Sequence, residues 1–250
     1  MRPWLRHLPI SATRGASAID PITGQGRLPP LGMKPFHENK SPASSFPQQK
    51  PHQEELKAMS SFSFFIVSTN IKNTRSKHKD TDWLVMNVKV GLLASQLAFK
   101  SLGDLDSGNC VIDLALLGIN LDPGSSFVFN YMIVNAGSAS EGDVSGAIQN
   151  ASILWSNGQG GPASANLTGA LEDGQNWFNN ELKSILNPNS CDGMVAAEQN
   201  HLTYETLTSM LSNGIFRHTT NHPGVHSPSG CGPNSQYTVT WEIDKNEPLQ

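Results

Sequence analysis

The sequence predicts a mostly β protein: an antiparallel β-sandwich or open barrel with two helices inserted before the last strand. Three observations carry this expectation. First, apolar and polar residues alternate with period two over 83–90, 127–135 and 236–243, the pattern of a strand with one face on a core. Second, three- and four-residue apolar steps, the helical period, appear only after residue 140. Third, the early strand-like runs follow one another without helical crossovers, which favours antiparallel pairing. About six to eight strands are expected, a common size for such folds.

Composition divides the chain. Residues 1–58 hold nine of the sixteen prolines and carry eight Lys/Arg against four Asp/Glu. The remainder carries nine Lys/Arg against seventeen Asp/Glu. A Pro-rich, basic segment with few apolar runs buries too little surface to offset its ordering entropy. Residues 1–58 therefore read as a disordered tail and 59–245 as a single β-rich globular domain. The acidic balance of that domain argues against nucleic acid as a partner, since phosphate binding needs a concentrated basic surface.

No apolar run approaches the ~20 residues of a membrane-spanning helix, so no membrane partner is expected and the protein reads as soluble. MRPWLRHLPISATRG has no apolar stretch of signal-peptide length. A cytoplasmic location is the default. Arg2, Arg6 and Arg14, with no acid before Asp20, offer a mitochondrial presequence as the alternative, which Pro3 and Pro9 oppose. Met59 is a third candidate start, leading straight into MSSFSFFIV.

In chain order, Phe62, Phe64 and Ile66 alternate with Ser63, Phe65 and Val67 as a first strand. A polar loop spans 70–82. In the strand that follows, Leu84, Met86, Val88 and Val90 take one face, with Trp83, Asn87 and Lys89 on the other. CVIDLALLGI at 110–119 is nearly continuous apolar, as expected of a central strand buried on both faces. Pro123 and Gly124 make a turn, and Phe127, Phe129, Tyr131 and Ile133 share a face of the next strand.

The period then changes: Val144, Ala147, Ile148, Ala151 and Trp155 predict a helix with Asp143 at its N-cap. Leu171, Phe178, Leu182 and Ile185 predict a second, ended by Asn187-Pro188. Residues 202–211 fit helix or strand equally. A His-, Pro- and Gly-rich loop is expected over 213–234. Tyr237, Val239, Trp241 and Ile243 mark the last strand.

Chemistry concentrates in the polar blocks. Asp80 and Asp82, like Asp104 and Asp106, place carboxylates two apart in a loop, a way to gather oxygens around Ca²⁺, although the EF-hand spacing is absent. The plainer account is that they cap turns. His78 beside them reads as a ligand or a base, or more plainly as a surface histidine. His218, His222, His226 and Cys231 form a candidate Zn²⁺ set. Pro223, Gly224 and Pro228 forbid the helix that would align them. Cys191 and Cys231 are the natural disulfide pair in an oxidising compartment, with Cys110 a buried free thiol. No G-x-S-x-G, H-E-x-x-H or P-loop occurs, and no catalytic residue is assigned.

The blocks Thr74-Arg75-Ser76-Lys77-His78-Lys79-Asp80-Thr81-Asp82, Cys191-Asp192-Gly193 and Ser227-Pro228-Ser229-Gly230-Cys231-Gly232-Pro233-Asn234-Ser235 resemble motifs of uncharacterised β-rich microbial proteins. That group carries no established activity. The resemblance implies only that the three blocks belong to one site.

The resulting expectation is a non-enzymatic binding module. Its polar loops would meet a small polar ligand, a glycan or a protein through Arg75, His78, Asp80, Asp82, Trp83, Asp192, Ser229 and Asn234, with Trp83 and Phe216 as aromatic platforms. A metal-dependent enzyme, using Zn or Ca, and a structural or assembly protein are the alternatives. Oligomeric state is not legible.

Overall fold

The computed structural model describes residues 59–77, 79–159, 171–187, 189–224, 227 and 229–246. The expected tail over 1–58, His78 and His226 lie outside them. The described residues form two four-stranded antiparallel sheets packed face to face, the predicted sandwich.

The first sheet contains β1 (Ser60–Asn73), β4 (Gly108–Leu121), β7 (Ile215–Pro223) and β8 (Gln236–Asn246), in the order β4-β1-β8-β7. The second contains β2 (Asp80–Val90), β3 (Gln96–Leu105), β5 (Ser126–Asn135) and β6 (Gly193–Thr203), in the order β3-β2-β5-β6. Three helices follow β5: α1 (Glu141–Ser156), α2 (Leu171–Glu181) and α3 (Tyr204–Met210).

The core between the sheets is built by the alternating residues of the sequence pattern: Phe64, Ile66, Leu84, Met86, Phe129, Tyr131, Val239 and Trp241 are all buried in it. A second core lies on the other face of the β2–β5 sheet. There Val85, Met132 and Val134 meet Val144, Ile148 and Trp155 of α1 and Phe178 of α2. That sheet is thus covered on both faces, which accounts for the nearly unbroken burial of β2 and β5. Polar residues under α1 bond across the contact, although Asn87 Oδ1 is buried without a partner. Asn87 Nδ2 donates to the Ser152 carbonyl at 3.1 Å, and the Ser152 hydroxyl donates to Asn130 Oδ1 at 2.7 Å.

Several details differ from expectation. The 110–119 run is an edge strand, paired only with β1, and it leaves Val111 and Leu117 exposed. Asp113 and Gly118 adopt positive φ, and the β1–β4 register shifts at two points, so the apolar residues cannot all face inward. The helix cap is Ser140, not Asp143; its hydroxyl oxygen accepts from the Asp143 amide, the usual N-cap bond. Residues 202–203 end β6, and Thr203 caps α3. The two predicted helices precede β6, β7 and β8 rather than the last strand alone. The expected loop over 213–234 contains β7, whose inward residues include Thr220 and His222.

The ends of β1, β5 and β7 and the starts of β2, β6 and β8 lie together: Ile71 and His222 both pair with Tyr237, and Asn135 pairs with both Asp82 and Gly193. This end of the sandwich receives all three polar blocks.

Candidate functional site

The loop between β1 and β2 is held by its own aspartate. Asp80 Oδ2 accepts from the Arg75 amide at 2.6 Å, and Oδ1 accepts from the Ser76 amide at 2.7 Å. Asn135 Nδ2 and the Tyr237 hydroxyl add contacts at 3.2 and 2.9 Å. Four donors converge on one fully buried carboxyl group, the satisfaction a buried charge requires.

Arg75 ties this loop to the other two blocks. Its carbonyl accepts from the Gly232 amide at 3.0 Å, and its Nε donates to the Asp192 carbonyl at 3.2 Å. Burial pushes the Arg75 guanidinium below its ordinary value, while the charges of Asp80 and Asp192 act to raise it. The backbone passes so close that a Cβ on Gly193 would fall 2.6 Å from the guanidinium carbon. Asp192 itself accepts from the Gly137 amide, the Ser138 hydroxyl and the Asn187 amide at 3.3, 2.7 and 3.1 Å. A disulfide joins Cys191 to Cys231 with Cα atoms 5.6 Å apart. Three blocks distant in sequence are therefore locked together by covalent and hydrogen bonds.

Beside this tie lies a concavity of about 350 Å³, walled by Arg75, Asn179, Lys183, Leu186, Asn187, Ser190 and Asp192. It offers cationic, amide and hydroxyl groups set among apolar surface that includes Leu186, a mixed lining of the kind that holds small ligands.

Behind the tie, the Tyr237 hydroxyl lies 2.9 Å from Asp80 Oδ2 and 2.7 Å from Asp82 Oδ2. One phenol carries one proton, so it cannot donate to both. Asp80 already accepts from two backbone amides, so the two carboxyl groups compete for the single phenol proton. Burial, then the charge of Asp80, push the Asp82 carboxyl up to about 8, against the lowering effect of its hydrogen bond with Tyr237. Burial and the two carboxyl groups likewise push the Tyr237 phenol far up.

A second interior network was not anticipated from the sequence. Glu198 Oε2 accepts from the Tyr131 hydroxyl at 2.8 Å and from Trp241 Nε1 at 3.2 Å, and Oε1 accepts from Asn200 at 3.1 Å. Tyr131 is also 2.7 Å from His222 Nε2. The available signal was parity: Glu198 stands two residues after Ala196, on the inward side of an apolar strand.

Of the residues singled out in the sequence, Arg75, Asp80, Asp82 and Asp192 come together. Trp83 does not join them. It points to the helix side, stacks on Phe99 at 6.0 Å and donates through Nε1 to the Ala136 carbonyl, so it is no ligand platform. Phe216 lies far along β7, against His218 and Trp241. Asn234 organises its own loop, accepting from the Ser227 amide at 3.1 Å, and Ser229 is exposed beside it.

The zinc set is corrected. Cys231 is bonded to Cys191 and has no thiolate to offer. His218 and His222 are four residues apart on an extended strand, about 13 Å, too far to share an ion. At Asp80 and Asp82 the facing oxygens are taken by Tyr237 and, on Asp80, by amides, while Asp82 Oδ1 is buried without a partner. Among the described residues, no three His, Cys, Asp or Glu side chains gather as a metal site would require. No helix among them is long and apolar enough to cross a membrane.

Compared with known proteins, the chain matches no protein-family model and shows no significant similarity to any curated protein.

Proposed function

We propose that this chain is a non-enzymatic binding module that holds a small polar ligand, such as the exposed end of a glycan, at the tied end of the sandwich. One observation carries the reading: Arg75, the Cys191–Asp192 turn and the Cys231–Gly232 turn are fastened to one another beside a concavity of about 350 Å³. A loop surface fixed in advance loses little entropy when it binds. Amide and hydroxyl groups around a cationic centre suit ligand hydroxyls and carboxylates. The carboxyl groups of Asp80 and Asp192 are committed to holding the loops, and their role here is positioning.

The test is a titration of isotope-labelled protein with a panel of neutral and acidic oligosaccharides, followed by amide NMR. Saturable shifts at Asn179, Lys183, Asn187 and Ser190 are expected. Asn179 and Lys183 are exposed, so Asn179→Ala and Lys183→Ala should abolish these shifts while leaving the melting temperature unchanged. A panel that gives no saturable shift at these residues, or binding indifferent to both variants, would assign the tie a purely structural role.

A further inference from the structure

The turn between β2 and β3 has an unusual composition. Tight turns favour Gly, Pro, Asn, Asp and Ser, whereas this one reads Gly91-Leu92-Leu93-Ala94, with all four residues exposed. Leu92 is 100% exposed and Leu93 66%. No charged residue occurs between Lys89 and Lys100. The turn is nevertheless fixed. Gly91 takes a positive φ of 50°, the Leu93 amide donates to the Val90 carbonyl at 2.9 Å, and the Gly91 amide donates to the Ser126 carbonyl at 2.9 Å. Neither leucine packs against either core, so the fold itself gives them no role.

Further exposed apolar side chains lie at the same end, opposite the tied loops. Val90 pairs with Phe127 and Phe127 with Leu202, so β2 and β6 finish where β5 starts. The Ser60 hydroxyl lies 3.0 Å from the Tyr204 hydroxyl, which joins the start of β1 to the residue after β6. Met59 precedes β1, and Ile215 opens β7 opposite Asp244 near the end of β8; both are exposed. The charged residues here include Lys89 and Lys245 against Asp122, Glu205 and Asp244, so this end has no basic excess.

We infer that the 91–94 turn is a surface anchor that inserts Leu92 and Leu93 among the headgroups of a zwitterionic lipid bilayer. Size decides against a protein partner. A stable protein interface takes about 20–30 residues a side, and this tip presents four. Insertion into lipid has no such threshold, because each apolar side chain withdrawn from water contributes by itself. Fluid headgroups close round a protruding side chain, whereas a folded partner must supply a matching socket. The charge balance selects the neutral surface, since anionic lipids draw basic segments. The sequence argued against a membrane partner because it lacks a spanning run, but a surface contact needs none. β2 has 11 residues, so the tied end stands about 35 Å from the lipid and stays in water.

The experiment sediments the full chain with phosphatidylcholine vesicles. The parent protein should co-sediment, to the same extent when part of the lipid is phosphatidylserine and when salt is raised. The double variant Leu92→Ser, Leu93→Ser should partition at least about tenfold more weakly with an unchanged melting temperature, both side chains being exposed. Leu92→Phe, which keeps the tip apolar, should retain binding. Four results overturn the inference: no co-sedimentation with either lipid composition, co-sedimentation indifferent to the double variant, binding that requires phosphatidylserine, or leucine-dependent self-association without lipid, which would assign the tip to a second copy of the chain. None of these bears on the groove at Arg75, which lies at the other end.

Discussion

The carboxyl group of Asp82 lies 2.7 Å from the hydroxyl of Tyr237, and both side chains are buried between the sheets. The pair makes stability depend on pH in a defined direction. Asp82 titrates at about 8 in the fold, against an ordinary value of 3.8. Between those values the folded state holds a proton that the unfolded chain releases, so this group's contribution to stability falls as pH rises through the window. His222 acts oppositely. Burial lowers it to about 4 from 6.5, against the raising effect of Glu198's charge, so its contribution to stability falls as pH drops from about 6.5 to about 4. The two effects offset each other below about 6.5 and Asp82 stands alone above it. Unfolding free energy should therefore decrease between roughly pH 6.5 and 8, by at most about 1.4 kcal/mol per unit. Asp82→Asn, neutral at every pH and still able to donate to Tyr237, should flatten that slope in urea titrations.

The disulfide closes a loop with a sequence separation of 40. In the chain-entropy account it stabilises the fold by roughly 3–4 kcal/mol. The double variant Cys191→Ala, Cys231→Ala should lose about this much in denaturant unfolding, with an unchanged midpoint for the single Cys110→Ser variant, whose thiol is only partly buried.

Gly232 has no room for a side chain. Its Cβ would sit 2.7 Å from the Ser76 carbonyl oxygen, and its amide is the donor that holds the Arg75 carbonyl. Both neighbours are backbone and cannot swing aside. Gly232→Ala should destabilise by about 1–3 kcal/mol, and the Gly232 and Ser76 amides should exchange faster with solvent.

Removing the Tyr131 hydroxyl separates Glu198 from His222. Tyr131→Phe leaves two buried polar groups without the partner they share, at a cost of about 1–3 kcal/mol. Released from Tyr131, the His222 ring should show both tautomers in nitrogen spectra, where the parent protein shows one.

The sheet scaffold was legible where apolar residues alternate along a strand. Tyr237, Val239, Trp241 and Ile243 alternate cleanly, and β8 is the strand they predict. Reading failed where a strand departs from that situation. The 110–119 run is apolar throughout, but no period could reveal that Asp113 and Gly118 would turn it at positive φ into an edge. In β7, His218, Thr220 and His222 are polar residues at inward positions, so IFRHTTNHP looks like a loop. His222 is held by Tyr131 and His218 packs on Trp241, partners remote in sequence that no local pattern encodes. The same limit applies at the site. The blocks around Arg75, Asp192 and Cys231 stand out by composition, and the Cys191–Cys231 pairing follows from there being few cysteines. That Asp82 would be sealed against Tyr237, 155 residues away, depended on packing, whereas strand alternation already set Trp83 on the opposite face.

The claim that the tied loops form one binding surface meets its most direct test in the disulfide-free double variant, studied well below its melting temperature. Its affinity for whichever oligosaccharide the parent protein binds at Asn179, Lys183, Asn187 and Ser190 should fall by about tenfold or more, with the sandwich amide spectrum retained. Equal affinity in the two proteins, or a parent that binds no member of the panel at those residues, would contradict it.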